Sequence, residues 1–270
     1  MSVRVCCVQM APKVGDVKEN TKRMSEFVDE ILSKESVDMV VFPELATSGY
    51  ECGDKFYHLA ECVETSDSVQ FMCKVAKQYG VHIVFGFPER KTQESKQLFN
   101  SSVYIDSKGH VCGTYQKMHL FDQERKYFSH GTEFPIFNTP FGKMGLLICW
   151  DTAFPEAARI YSLKGADFLI VSSNWEKPYE DDWDLAVSAR ALDNCIPIAA
   201  ANRVGKDETL SFFGHSRIVG PTGKVIQSID KDSEGFIIAD LDQNHSKRLR
   251  QEYYTFFRDR KPHLYTDLIH

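Results

Sequence analysis

The 270-residue chain has eight cysteines, at positions 6, 7, 52, 62, 73, 112, 149 and 195, but no Cys-x-x-Cys pair. No histidine cluster accompanies them at zinc-finger spacing, and no HExxH or other metal spacing surrounds His119. Neither a thioredoxin-type redox site nor a structural zinc site is therefore expected. No run approaches the roughly 18 apolar residues of a membrane span. The Met1–Met10 stretch has too few apolar residues for a signal h-region and no convincing cleavage site. Positive charge is not in excess either. Lys and Arg number 32 against 38 Asp and Glu, a formal charge of −6, which does not fit a general nucleic-acid binder. These absences describe a cytoplasmic chain whose thiols are mostly reduced and buried, several inside apolar runs such as Val5–Val8 and Gly145–Trp150.

What is present is ample apolar material, with 43% hydrophobic residues, 19 Phe, 11 Tyr and 3 Trp, which excludes disorder for the bulk of the chain. Short apolar runs alternate with amphipathic stretches, the pattern of helices covering sheets. Strands are predicted at Val3–Gln9, Val37–Phe42, His82–Phe87, Lys143–Cys149, Phe168–Ser172 and Ile196–Ala201. Helices are predicted at Val17–Ser33, Ser66–Tyr79, with Gly80 as its stop, Phe154–Leu163 and Trp183–Asp193. Hairpins are expected at Ser102–Lys117 and Ser216–Ser228, around Asp106-Ser107-Lys108-Gly109 and Gly220-Pro221-Thr222-Gly223. The second turn is no phosphate loop, because Val225 follows Lys224 where Ser or Thr is required.

No linker rich in Pro, Gly or Ser divides residues 1–246, so one domain is expected there, followed by a tail at 247–270. Within Lys247–Lys261, six cations meet two carboxylates, so this segment carries +4 and the remainder −10. Tyr253, Tyr254, Phe256 and Phe257 are interleaved with those charges. Packing of the aromatics on the body or on a partner subunit accounts for them better than a nucleic-acid strip.

Three apolar strands end abruptly in a reactive or charged residue, as expected where site groups sit at the mouths of sheets. Glu44 follows Val40-Val41-Phe42-Pro43. It is either a surface carboxylate or a desolvated one whose pKa is raised toward general-base use. Lys117 ends Tyr115-Gln116, as a solvated lysine or as a cation beside an anionic intermediate. Cys149 ends Gly145-Leu146-Leu147-Ile148 and precedes a predicted helix. A buried inert thiol is the default in an apolar run, but this junction offers backbone N–H groups and a positive helix end that favour thiolate.

Glu, Lys and Cys on separate strand ends carry a resemblance. The chain is similar to members of the nitrilase (carbon–nitrogen hydrolase) superfamily in Phe42-Pro43-Glu44, in Tyr115-Gln116-Lys117-Met118-His119-Leu120, and in Ile148-Cys149-Trp150-Asp151 with Phe154-Pro155-Glu156. The motifs come in the family's order and the likeness covers essentially the whole chain. It implies an α/β fold, a four-layer α-β-β-α sandwich with mixed sheets, normally dimerised through a C-terminal segment. It implies that Glu44 is the general base, that Cys149 attacks the amide carbon, and that Lys117 with the Trp150 N–H holds the oxyanion. Glu124, before Arg125-Lys126-Tyr127-Phe128, matches a second glutamate that positions substrate or Lys117. No cofactor is implied, and the partners are a small amide or carbamoyl substrate and a second copy of the chain.

The triad does not separate the superfamily's branches. Carboxylate-binding members often place an Arg two to four residues after the Cys. Here those positions hold Asp151, Thr152 and Ala153, a departure from the carboxylate-recognising ω-amidase and carbamoyl-D-amino-acid hydrolase branches, while Ile148-Cys149-Trp150-Asp151 with Phe154-Pro155-Glu156-Ala157-Ala158-Arg159 is similar to the N-carbamoylputrescine amidases; ω-amidase or nitrilase activity is the alternative. Tyr50, Asn174 and Trp175 follow strand ends and join Trp150 as pocket candidates, Asn174 being the best placed to bond a substrate. Glu51 and Glu176 would suit a cationic tail, surface charge being the simpler account of both. A papain-like protease is excluded by the sequence around Cys149, and a non-enzymatic scaffold is disfavoured because Glu44, Lys117, Cys149 and Glu124 are all present.

Overall fold

The computed structural model describes residues 2–269. Strand β1 (Ser2–Gln9) leads to α1 (Val17–Lys34), β2 (Met39–Val41), the short α2 (Phe56–Leu59), α3 (Asp67–Tyr79), β3 (His82–Arg90), β4 (Leu98–Ile105) and β5 (Val111–Gln116). There follow α4 (Glu124–Tyr127), β6 (Phe137–Thr139), β7 (Gly142–Ile148), α5 (Pro155–Leu163), β8 (Phe168–Ser173), α6 (Glu180–Asn194) and β9 (Ile198–Asn202). The chain closes with β10 (Val204–Lys206), β11 (Ser211–Phe213), β12 (Arg217–Val219), β13 (Val225–Ser228), β14 (Gly235–Asp242), α7 (Gln243–Glu252) and α8 (Phe256–Asp259).

Local chemistry sets the helix ends. The Asp16 carboxylate accepts the Glu19 N–H at the start of α1, and the Ser66 hydroxyl accepts the Val69 N–H at the start of α3. Gly80, at φ +66°, ends α3 in the left-handed conformation that costs glycine least. Helix α6 begins three residues before its predicted start, with Glu180, Asp181 and Asp182 in its first turn, where carboxylates complement the helix dipole.

The strands form two six-stranded mixed sheets, ordered β14-β1-β2-β3-β4-β5 and β13-β12-β9-β8-β7-β6, with β10-β11 as a separate pair. Alternation along β1 shows how the layers arise. Cys6 and Val8 join a cluster with Met24, Phe27 and Ile31 of α1 and Val69 and Met72 of α3, whereas Val3, Val5 and Cys7 face the second sheet. Ala157, Ala158 and Tyr161 of α5, and Trp183, Val187 and Ala191 of α6, cover the second sheet. The result is the expected four-layer sandwich in one domain. Strands buried on both faces explain why Val40, Val41 and Leu146–Ile148 read as unbroken apolar runs.

Other features also differ from the sequence expectation. Strand β14, unforeseen, pairs antiparallel with all eight residues of β1, from Ser2 opposite Asp242 to Gln9 opposite Gly235. Strand β2 spans only Met39–Val41; the Phe42 N–H still reaches the Val84 carbonyl, but Pro43 has no N–H to continue the ladder. None of the eight cysteines is paired, and all but Cys112 are buried. Among the described residues no helix is long and apolar enough to cross a membrane.

The strand ends that matter lie on one rim, where the two sheets are tied by the Ser172 hydroxyl donating to the Phe42 carbonyl at 2.9 Å. Just beyond that tie, a Cβ at Gly86 would stand 2.3 Å from the Leu45 nitrogen and 2.6 Å from the Glu44 Cα. Gly86→Ala should therefore destabilise the fold by about 1–3 kcal/mol and shift the loop that carries Glu44. Urea unfolding read together with hydrolytic activity checks both effects.

Candidate active site

Glu44 leaves β2 on a loop held where the Gly86 N–H donates to the Pro43 carbonyl at 3.1 Å, and its side chain is fully buried. Its Oε1 accepts from Lys117 Nζ at 2.7 Å and Asn100 Nδ2 at 2.6 Å, and its Oε2 from the Asn174 N–H at 2.8 Å. Lys117 follows β5 and is fixed through its own backbone, its N–H on the Asn100 carbonyl and its carbonyl under the Gly131 N–H, both at 2.8 Å. The same Nζ lies 2.7 Å from Glu124 Oε1. Glu124 opens α4 and accepts also from the Tyr50 hydroxyl at 2.9 Å and the Phe121 N–H at 3.1 Å. One buried ammonium thus bridges two buried carboxylates.

Cys149 stands at the end of β7, where the chain enters a 3₁₀ turn, Cys149–Ala153, before Pro155 starts α5. Its φ of +45° is a strained conformation for a side-chain-bearing residue, of the kind that clusters at functional sites. Asp151, in the same turn, is a fully buried clamp. Its carboxylate accepts from the Ile148 N–H at 3.0 Å, the Tyr115 hydroxyl at 2.8 Å and the His119 N–H at 3.0 Å, and lies 2.8 Å from His119 Nδ1. The His119 ring stacks on Phe154 with centroids 3.8 Å apart. The loop bearing Lys117 and the turn bearing Cys149 are therefore locked to one another.

Burial pushes the Cys149 thiol well above its ordinary range, and Glu44 adds to this, while Lys117 pulls the other way. For Lys117 burial alone would favour the neutral amine, but Glu124 and Glu44 outweigh it and hold the ammonium well above its usual value. Glu124 is pushed up to about 7, chiefly by burial, against the pull of Lys117. A neutral thiol and a cation shared by two carboxylates form the resting arrangement.

Two cavities share the walls Phe121 and Glu176. One, of about 230 Å³, lies over Cys149 and is lined also by Trp150, Trp175, Tyr179 and Asp182. The other, of about 430 Å³, is lined by Tyr50, Glu51, Glu124, Tyr127 and Glu208 among others. Trp150 packs on Trp175 with centroids 5.4 Å apart and on Phe121 at 4.8 Å. The Asn174 side chain lines neither cavity: its backbone meets Glu44, and its buried amide has no partner. Glu51 is occupied as well, its carboxylate taking the Thr209 and Leu210 N–H groups at 2.8 and 2.9 Å.

Several contributors were not foreseen. The β10–β11 hairpin walls the larger cavity, pinned by Asp207, which pairs with the buried Arg203 at 2.8 Å and accepts the Tyr50 and Glu51 N–H groups. Three-residue strands give no periodicity that could announce them. Asn100 sits inside the buried run of β4 at the head of a polar triplet, Asn100-Ser101-Ser102, and nothing in that triplet tells which member meets Glu44. Phe121 lies in a loop, and Tyr179 and Asp182 at the start of α6, without a strand to aim them. Among the described residues there is no group of three or more His, Cys, Asp or Glu side chains arranged to hold a metal ion.

Comparison with known proteins agrees with this architecture. The carbon-nitrogen hydrolase family model matches residues 4–251. A probable nitrilase of Schizosaccharomyces pombe is 54% identical over 270 residues, all of this chain and 99% of that protein. An N-carbamoylputrescine amidase of Arabidopsis thaliana is 34% identical, over 94% of this chain and 91% of that one. The crystal structure of a carbon-nitrogen hydrolase from Helicobacter pylori superposes with a TM-score of 0.92 at 29% identity, covering 99% of this chain and 98% of that one. The chain belongs to the carbon-nitrogen hydrolase family and is a hydrolase of carbon–nitrogen bonds.

Proposed function

We propose that this protein hydrolyses the C–N bond of a small amide or carbamoyl compound through a thioester on Cys149. The observation that carries the proposal is the Lys117 ammonium held 2.7 Å from both Glu44 and Glu124, next to a strained cysteine that opens on a cavity. Because the thiol is protonated at rest, its proton must leave as sulfur attacks. Glu44 is the base that takes it. The carbonyl oxygen becomes an oxyanion, stabilised by Lys117 and by the Trp150 N–H, which as an early donor of the 3₁₀ turn lacks a partner within it. Collapse breaks the C–N bond, and Glu44 returns the proton to the departing nitrogen, which leaves as ammonia or an amine. A water then gives a proton to Glu44 and its hydroxyl to the thioester carbon; the C–S bond breaks, and Glu44 passes that proton to the leaving sulfur, restoring the Cys149 thiol. Glu124 keeps Lys117 on the side of the developing charge.

The relatives' names, nitrilase and N-carbamoylputrescine amidase, support the reaction class. The cavity of about 230 Å³ supports a small substrate. We also propose that the C-terminal segment meets a second copy of the chain, supported by the exposed Tyr253, Leu264 and Leu268.

Cys149→Ala should reduce ammonia release, assayed across amides, ω-amides, ureido compounds and nitriles, by at least about a thousandfold with an unchanged circular dichroism spectrum; unchanged turnover would remove Cys149 from its role. Glu124 gives a pH signature in stability. Its native pKa is raised from 4.5 to about 7, so the native state holds a proton that the unfolded state has lost between those values. Its contribution is complete below about 4.5 and is lost as pH rises through about 7. Denaturation from pH 4 to 8 should show wild type losing stability relative to Glu124→Gln across that window, and a flat difference would contradict the assignment. For the tail, Leu264→Glu with Leu268→Glu should convert a dimer into a monomer by sedimentation; a mass that does not change on substitution counts against the interface.

A further inference from the structure

Strand β8 ends in two serines with different fates. Its parallel register sets Ser172 beside Ile148 of β7, so the next residue on each chain, Ser173 and Cys149, stand side by side at the rim. The Ser172 hydroxyl is committed to the Phe42 carbonyl across the two sheets. Strand alternation turns the Ser173 side chain the other way. Its backbone is fixed by pairing with Asn202 of β9 and by the Arg203 N–H, which donates to its carbonyl at 3.2 Å.

The Ser173 side chain is fully buried, yet its hydroxyl has no oxygen or nitrogen partner among the described residues. A hydroxyl shut away from water without a partner costs stability, and a native chain that keeps one has a use for it. The polar atom it reaches is the Cys149 sulfur. Burial, then Glu44 and Glu124, hold that thiol protonated, while Lys117 and a hydrogen bond from Ser173 favour the thiolate. Lys117 is shared between two carboxylates at 2.7 Å, so Ser173 is the uncharged donor left free to answer the sulfur. The contact is loose at rest, where a neutral thiol is a weak acceptor, and it tightens when the sulfur carries charge.

We infer that Ser173 is a further catalytic residue, whose hydroxyl donates a hydrogen bond to the Cys149 sulfur at the two points of the cycle where negative charge builds on it. The inference rests on the proposed hydrolysis. At the first point, Glu44 takes the thiol proton as sulfur bonds to the substrate carbon. At the second, the C–S bond of the tetrahedral intermediate breaks, its electron pair returns to sulfur, and Glu44 passes a proton to that atom. Ser173 keeps its own proton in both, so the proton's route is unchanged and no group on the substrate is required. What the hydroxyl lowers is the cost of placing charge on an atom without access to water.

Ser173→Ala removes the hydroxyl and keeps the packing. Urea unfolding should show stability equal to or above wild type, because an unsatisfied polar group is lost. With the best compound from the panel of amides, ω-amides, ureido compounds and nitriles, kcat for ammonia release should fall at least about tenfold, with KM within about twofold. A residue that only packed would not separate stability from turnover in this way. Alkylation of Cys149 by iodoacetamide at about pH 8, followed on its own peptide by mass spectrometry, should slow at least about threefold, as a thiolate that has lost a donor is less populated. Ser173→Cys, which keeps the shape and offers a weaker donor, should lose at least about threefold in kcat and decides alone if the alanine variant does not fold. Unchanged kcat, or unchanged alkylation, overturns the inference while leaving the hydrolase reading intact. Absence of ammonia from every compound with the wild-type protein counts against the hydrolysis instead, and the alkylation comparison then decides whether Ser173 reaches the sulfur.

Discussion

A lysine without solvent exposure loses its hydration, and the effective penalty for such a buried ion is several kcal/mol even after relaxation. Lys117 persists as an ammonium because two carboxylates stand 2.7 Å from it, and the architecture serves to bring them there. Glu44 comes from the end of β2, Lys117 from the end of β5 and Glu124 from the first turn of α4. Asn100 and the Asn174 backbone add donors to Glu44, while Tyr50 and the Phe121 backbone add donors to Glu124. Each carboxylate is thus satisfied by neutral donors as well as by the cation, the condition under which buried charges are tolerated. Removing any one partner strands the others, so the cluster is a unit, and its protonation belongs to the group as a whole.

Much of this cluster was legible because the apolar pattern breaks where its members sit. An apolar strand signals burial, and a charged or sulfur-bearing residue at its very end has to be satisfied or used. Glu44, Lys117 and Cys149 are flagged on that ground, but a surface carboxylate, a solvated lysine and an inert thiol stay open until the family resemblance gives the three their roles; Trp150 and Trp175 are picked out as aromatic residues just beyond strand ends. The contributors from loops are a different case. Tyr50 reaches Glu124 across 74 residues of sequence, a closeness that no local spacing encodes. Asn174 shows another limit, since strand-end logic placed the residue correctly at the rim but could not tell that its backbone rather than its amide faces Glu44. Strand β14 was hidden because its partly exposed sequence, Gly235–Asp242, mixes both kinds of residue and lacks the density of the interior strands.

Charge follows the same division between what is fixed and what is available. Most buried charged groups in and around the site answer one another: Lys117 with its two carboxylates, Arg203 with Asp207, Asp151 with its four donors. These pairs set positions. Glu176 has no ion-pair partner among the described residues, and the charged side chains lining the cavities beside it are carboxylates. The cavity walls therefore combine a rigid polar frame with carboxylates of one sign.

The pairing of β1 with β14 reaches beyond the finished molecule. Synthesis delivers β1 first and its partner some 230 residues later, with Ser2 meeting Asp242. Until then the emerging chain carries an apolar strand with one bare hydrogen-bonding edge, an invitation to pair with any extended segment nearby. The first sheet cannot be closed by its own local hairpins, because its last seam waits for a strand more than 220 residues downstream. A ribosome that stalls between the two strands releases a chain with Val3, Val5 and Cys7 still seeking an edge, and quality control, rather than catalysis, is where that geometry is first felt.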